Sequence, residues 1–107
     1  MPQACASLRN YARRFPIGVP PLYVWLGTLA NAGGHRRRAL RLWRRAIARA
    51  TALHMPYEHG RALLEIGRGG ALSSEVRRDH LRAAEDIFEA IGCGYELALA
   101  RSELERT

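Results

Sequence analysis

The side chains able to do chemistry in this 107-residue chain are few and scattered, arginine excepted. Cys5 and Cys93 stand 88 residues apart with no CxxC pair, so their spacing spells neither a thiolate metal site nor a redox dithiol. Two cysteines are too sparse for the disulfide framework of a small secreted domain, and free thiols are expected. His35, His54, His59 and His80 show no HxxxH or HExxH spacing, and Met55-Pro56 separates the middle two. They read as ordinary surface histidines rather than zinc ligands. Gly67-Arg68-Gly69-Gly70 is glycine-rich but lacks the lysine and the spacing of a phosphate-binding loop. No nucleophile, base and orienting group can be nominated together, so no enzyme activity, metal or cofactor is expected.

Arginine is different. All 17 basic residues are arginine, against 10 acidic residues, for a formal charge of +7. A chain without lysine fits a GC-rich coding bias as well as a selected charge. Residues 1–57 hold ten arginines and no acid, whereas residues 58–107 hold seven arginines and ten acids. Such asymmetry steers partners electrostatically without naming them. The densest run, seven arginines in the 14 residues Arg36–Arg49, offers a basic face of Arg37, Arg38, Arg41, Arg44, Arg45 and Arg49. It could neutralise several phosphates, which makes salt-sensitive nucleic-acid binding the alternative function. Against that stand the absence of any helix-turn-helix, zinc-finger or RNA-recognition signature and the need to bury Trp43 and Ile47 from the same segment.

The elements that must carry these residues are helical. Hydrophobic residues make up 48% of the chain, enough for a core. From Arg36 to His54, Ala39, Leu40, Trp43, Ala46, Ile47, Ala50 and Leu53 recur at three and four, with arginines between them. Leu81, Ala84, Ile87, Phe88 and Ile91 repeat the pattern, and Asp79, Glu85 and Asp86 stand at ion-pair spacing from Arg82. No segment alternates convincingly with period two. Breaks fall at Phe15–Pro21, Asn31–His35, Met55-Pro56, Gly67–Gly70 and Gly92–Gly94, and Ser73 or Ser74 can cap the helix after the fourth. Six helices are expected, at about 4–14, 21–32, 36–54, 57–67, 75–91 and 94–106. Short loops make neighbours antiparallel, so the chain reads as an all-α stack of helical hairpins. Val19–Ala32, the best apolar run, falls short of the roughly 20 residues a bilayer demands, and the N-terminus lacks signal-peptide order. A soluble, cytoplasmic protein with no membrane partner is expected.

The chain also resembles itself. Tyr57–Arg68 and Tyr95–Arg106 share the frame Y-E-x-x-x-A-x-x-E-[I/L]-x-R at an offset of 38. A second frame, alanine followed four residues later by an aromatic, occurs as Ala39/Trp43 and Ala84/Phe88 at an offset of 45. Small residues such as Gly27, Ala39 and Ala84 let helices approach, and the aromatics fill the gaps between hairpins as core residues. One hairpin cannot bury its own apolar face, so stacking is obligatory. Gly60 and Gly67 each weaken their helix by about 1 kcal/mol relative to alanine, which signals close packing or local mobility there.

Tyr23-x-x-Leu26-Gly27-x-x-Ala30, followed by Ala39-x-x-x-Trp43-x-x-Ala46, resembles the tetratricopeptide pattern W-x-x-L-G-x-x-Y…A-x-x-x-F-x-x-A. Tyrosine stands for the first tryptophan, alanine for the later tyrosine, and the closing proline comes late, at Pro56. Phe15–Gly18, Ala39–Ala46, Met55–Glu58 and Glu65–Arg68 look like the C-terminal repeat region of large bacterial signalling proteins. In those proteins a class III adenylate/guanylate cyclase or kinase domain precedes an ATPase module and the repeats. No cyclase, Walker or kinase motif is present in this sequence.

The resemblance implies a tetratricopeptide-like α-solenoid over residues 1–107, with units at about 21–54 and 57–91 and partial units at 1–14 and 94–107, as a piece of a longer array. It implies a non-catalytic protein–protein interaction scaffold. The partner is a protein or peptide, another domain of the parent chain being one form of it. The first helix of each pair lines the concave face, which makes Tyr23, Thr28, Asn31, His59, Arg61 and Glu65 the candidate contacts. Leu97, Leu99 and Leu104 make the last helix look apolar around its circumference, so self-association is also expected.

Overall fold

The apolar residues that recur at three and four do form helices. A computed structural model describes residues 18–107, which hold five helices and no strand. They are α1 (Val19–Ala32), α2 (Arg36–Ala52), α3 (Pro56–Arg68), α4 (Ser74–Ile91) and α5 (Gly94–Arg106). The helix expected at 4–14, and Cys5 with it, lie outside the described residues. None of the five is long and apolar enough to cross a membrane.

The helix starts follow local chemistry. α1 and α3 carry proline in their first turn, where the missing N–H has no intrahelical partner to lose. α1 therefore begins two residues earlier than expected and absorbs Pro20 and Pro21. Ser73 caps α4, its Oγ accepting from the Val76 N–H at 3.5 Å.

Three of the helix ends share one geometry. The His35, Met55 and Cys93 amides donate back five residues, to Ala30, Ala50 and Phe88, at 2.8–2.9 Å. In each case the residue before the donor is left-handed: Gly34 (φ 85°), His54 (φ 54°) and Gly92 (φ 75°). This Schellman closure satisfies the last carbonyls and turns the chain sharply. It ends α2 at Ala52, two residues before the expected His54, because His54 has already left helical φ. α3 ends otherwise, with Gly69 extended at φ −72°, ψ 166°.

Each helix packs on the next in sequence, and α1 also touches α3 while α3 touches α5. Gly67 at the end of α3 meets Leu81 early in α4, and Gly60 faces Phe88 late in α4, so the pair runs antiparallel. Two core clusters result. One joins Val24 of α1, Ala39, Trp43 and Ala46 of α2, and Ala62 and Ile66 of α3. The other joins Leu63 and Leu64 of α3, Leu81, Ala84 and Phe88 of α4, and Ala100 of α5. Ile47 of α2 packs against both. As expected, Trp43 and Phe88 are core residues, at 2% and 0% exposure. The indole N–H of Trp43 donates to the Val24 carbonyl at 3.2 Å, which satisfies the buried donor and anchors α2 to α1.

The two sequence frames do not carry equal weight. α2 and α4 begin 38 residues apart, at Arg36 and Ser74, as α3 and α5 do at Pro56 and Gly94. Their closing hydrogen bonds obey the same offset: Met55 to Ala50 and Cys93 to Phe88, His54 to Thr51 and Gly92 to Glu89. The 45-residue pairing of Ala39/Trp43 with Ala84/Phe88 is therefore not the structural register. Trp43 corresponds to Leu81, Ala46 to Ala84 and Ala50 to Phe88, and all six are buried.

Glycine replaces side chain where helices touch. A Cβ on Gly27 would sit 2.5 Å from Trp43 Cδ1, and one on Gly67 would sit 2.5 Å from Leu81 Cδ2. Gly60 would meet Phe88 Cζ at 2.9 Å. Close packing, rather than mobility, accounts for Gly60 and Gly67.

Candidate functional site

Polar side chains gather where α3 and α5 lie side by side. Glu65 Oε1 receives Arg61 Nη2 at 3.0 Å and Arg68 Nη1 at 3.6 Å. Arg68 Nε then reaches across to Glu103 Oε1 of α5 at 3.8 Å, and Arg106 Nη1 meets the same oxygen at 3.6 Å. The result is a chain of alternating charge, arginine to glutamate five groups long, with both glutamates more shielded than their partners. At the other end of the helices, Tyr57 Oη donates to Glu96 Oε2 at 2.8 Å. That bond, with some burial, raises the Tyr57 pKa above its ordinary 10.0, because the neutral phenol is the donor. The ring of Tyr57 also sits edge-on to Phe88, centroids 6.1 Å apart.

The expected partner-binding residues divide. Arg61 and Glu65 belong to this charge chain. Tyr23 is half-buried against the first core cluster, and Thr28 is turned onto its own helix, its Oγ1 donating to the Val24 carbonyl at 3.0 Å. Asn31 is half-buried near the end of α1 and its backbone carbonyl accepts from Gly34. His59 stands apart. It lies two residues, about 200° of helical turn, from Arg61, and lines a shallow depression at the α2–α3 junction with Ala50, Thr51, His54, Met55 and Pro56. Desolvation there lowers its pKa below 6.5, and burial raises that of Glu58 beside it.

Sequence reasoning missed Tyr57, Arg68, Glu96, Glu103 and Arg106 as site residues. Their signal was the repeated frame itself, which contains all five.

The arginines of the basic face are all exposed, and none reaches a carboxylate among the described residues. The ion pairs lie on α3, α4 and α5 instead. Of the pairings expected for Arg82, only Asp79 is in reach, at 4.0 Å. Glu85 is taken by Arg101 at 3.0 Å, and Glu89 by the same arginine at 3.4 Å, fastening α5 to α4. Leu97, Leu99 and Leu104 are half-buried and pack against the second core cluster. The exposed hydrophobic of the last helix is Tyr95, at 75%.

Among the described residues no three of His, Cys, Asp and Glu come together as a metal site, and Cys93 is a free thiol. Among the described residues, one depression lies between α1 and α2, lined by Leu26, Leu29, Ala30, His35, Arg38 and Leu42. No protein-family model, curated protein or solved structure is similar enough to this chain to count as a match.

Proposed function

We propose that the chain is a tetratricopeptide-like α-solenoid segment acting as a non-catalytic protein–protein interaction scaffold, the repeat region of a bacterial multidomain signalling protein. The observation that carries the reading is the 38-residue recurrence. Helix starts and closing hydrogen bonds repeat at that offset, and α3 touches both α1 and α5. Alternate helices in contact are the signature of stacked hairpins, whose first helices line one continuous surface. On that surface the charge chain of Arg61, Glu65, Arg68, Glu103 and Arg106 offers both signs to an extended peptide.

Selection of a displayed peptide library on the immobilised chain tests this. Enriched peptides are expected, and their binding falls severalfold on Arg61→Ala or Glu65→Ala. A library that yields no binders, or binders indifferent to both substitutions, refutes the reading.

The exposed arginines of α2 support a second reading, nucleic-acid binding, since no carboxylate among the described residues competes for them. A filter-binding titration decides it: no retention of nucleic acid at low salt ends the idea.

A further inference from the structure

The arginines fall into two populations. All seven in residues 58–107 have a partner within the chain. Five pair with carboxylates, and Arg77 and Arg78 donate to the backbone carbonyls of Gly67 and Thr107 at 3.0 and 3.3 Å. The seven of α2 are exposed and reach no carboxylate among the described residues, and residues 1–17 contain no acidic side chain to supply one. A coding bias toward arginine does not account for this split. In α4, 38 residues on, Glu75, Asp79 and Asp86 stand where α2 has Arg37, Arg41 and Ala48.

Repeat stacking does not cover this face. Arg37, Arg41 and Arg44 follow at four and three, on the side of α2 opposite its buried Ala39, Trp43, Ala46 and Ala50. α2 and α4, the equivalent helices of neighbouring units, are not packed on each other. A unit placed before α1 would stand to α2 as α2 stands to α4, so the face stays open in an array of any length.

We propose that the outer face of α2 binds the phosphate backbone of double-stranded nucleic acid. The inference rests on the nucleic-acid reading and names the form of the ligand. Arg38, Arg45 and Arg49 make a second line, about a quarter turn round the helix from the first. From Arg37 to Arg49 the two lines run for about 18 Å, along which a duplex presents a phosphate about every 1.7 Å. Two parallel cationic lines suit the two phosphate rows that border a groove. Single-strand binders add aromatic platforms on which bases stack, whereas the aromatic of α2, Trp43, is 2% exposed. A helix lying on a membrane surface needs large apolar side chains to insert, and among those exposed none is on α2.

The test is fluorescence anisotropy of the full chain with a labelled mixed-sequence DNA duplex of about 20 base pairs, and with one of its strands alone, over a range of salt. The duplex is expected to bind more tightly than the strand. The slope of log K against log salt should be about −4 to −5, as six arginines at about 0.9 each allow. Replacing Arg37, Arg41 and Arg44 together by glutamine should make the slope shallower by about 2–3, and replacing Arg38, Arg45 and Arg49 should do the same. Replacing Arg78, Arg82 and Arg101 by glutamine removes the same formal charge and should leave the slope unchanged. Far-UV circular dichroism of each variant confirms that it is folded. Tighter binding of the single strand, or equal slopes for the α2 triples and the control triple, overturns the proposal while leaving nucleic-acid binding in place. No binding of either probe at low salt overturns both.

Discussion

Gly27→Ala sets two known effects against each other. Alanine is the better helix former by about 1 kcal/mol, so an uncrowded site on α1 would gain stability. Gly27 is crowded: its new Cβ would stand 2.5 Å from Trp43 Cδ1 and 3.0 Å from Trp43 Cε2. These are pyrrole-ring atoms of an indole only 2% exposed, so the ring cannot swing into solvent. Overpacking of this kind costs about 1–3 kcal/mol. Displacing the indole also stretches its 3.2 Å hydrogen bond to Val24, leaving a buried donor short of its acceptor at about 1–3 kcal/mol. The sum is a net loss of about 1–5 kcal/mol, and each kcal/mol lowers the Tm of a chain this size by about 4–8 °C.

The assay is urea denaturation followed by far-UV circular dichroism, with Trp43→Phe completing a double-mutant cycle. Phenylalanine lacks the pyrrole atoms that the Cβ meets, and the Val24 carbonyl keeps the Thr28 hydroxyl as donor at 3.0 Å. Gly27→Ala should therefore cost at least about 1 kcal/mol less in the Trp43→Phe background. Wild-type or higher stability for Gly27→Ala alone, or strict additivity, refutes the argument that glycine is there for the indole.

Two of the three left-handed helix ends, His54 and Gly92, make a matched pair. His54→Gly should stabilise the chain by up to about 1 kcal/mol and Gly92→Ala destabilise it by a similar amount, since both positions have positive φ; thermal melts returning the opposite signs would contradict the closure geometry. Stability should also respond to pH at α3. The Tyr57 pKa is raised in the fold, so its contribution is complete below 10.0 and is lost as pH rises through the folded value. The His59 pKa is lowered, so its contribution is complete above 6.5 and is lost as pH falls through the folded value. Tyr57→Phe should flatten the alkaline slope and His59→Gln reduce the acid one; unchanged slopes in pH-dependent denaturation would show that neither side chain is responsible.

The sequence by itself determined the helices and most of their ends, because both are local. Apolar spacing of three and four fixes a buried face, proline opens α1 and α3, and Ser73 caps α4. The Y-E…A…E…R frame also gave the true 38-residue period. The rival offset of 45 misled for a physical reason. Forty-five exceeds 38 by seven residues, two helical turns, after which an amphipathic pattern nearly repeats itself. Burial and hydrogen bonds at the junctions separate the two registers; periodicity cannot.

Tertiary structure alone decided how charges pair. Spacing along α4 favoured Arg82 for Glu85, but Arg101, 16 residues away on α5, holds that carboxylate. It decided that Leu97 and Leu104 pack against the second core cluster. It also decided which residues of the frame make the site. Tyr57 and Arg68 read as surface positions of one helix until α5 brings Glu96 and Glu103 within reach. Sequence patterns record which face a residue occupies, whereas the partner on that face depends on distances between helices that only packing sets.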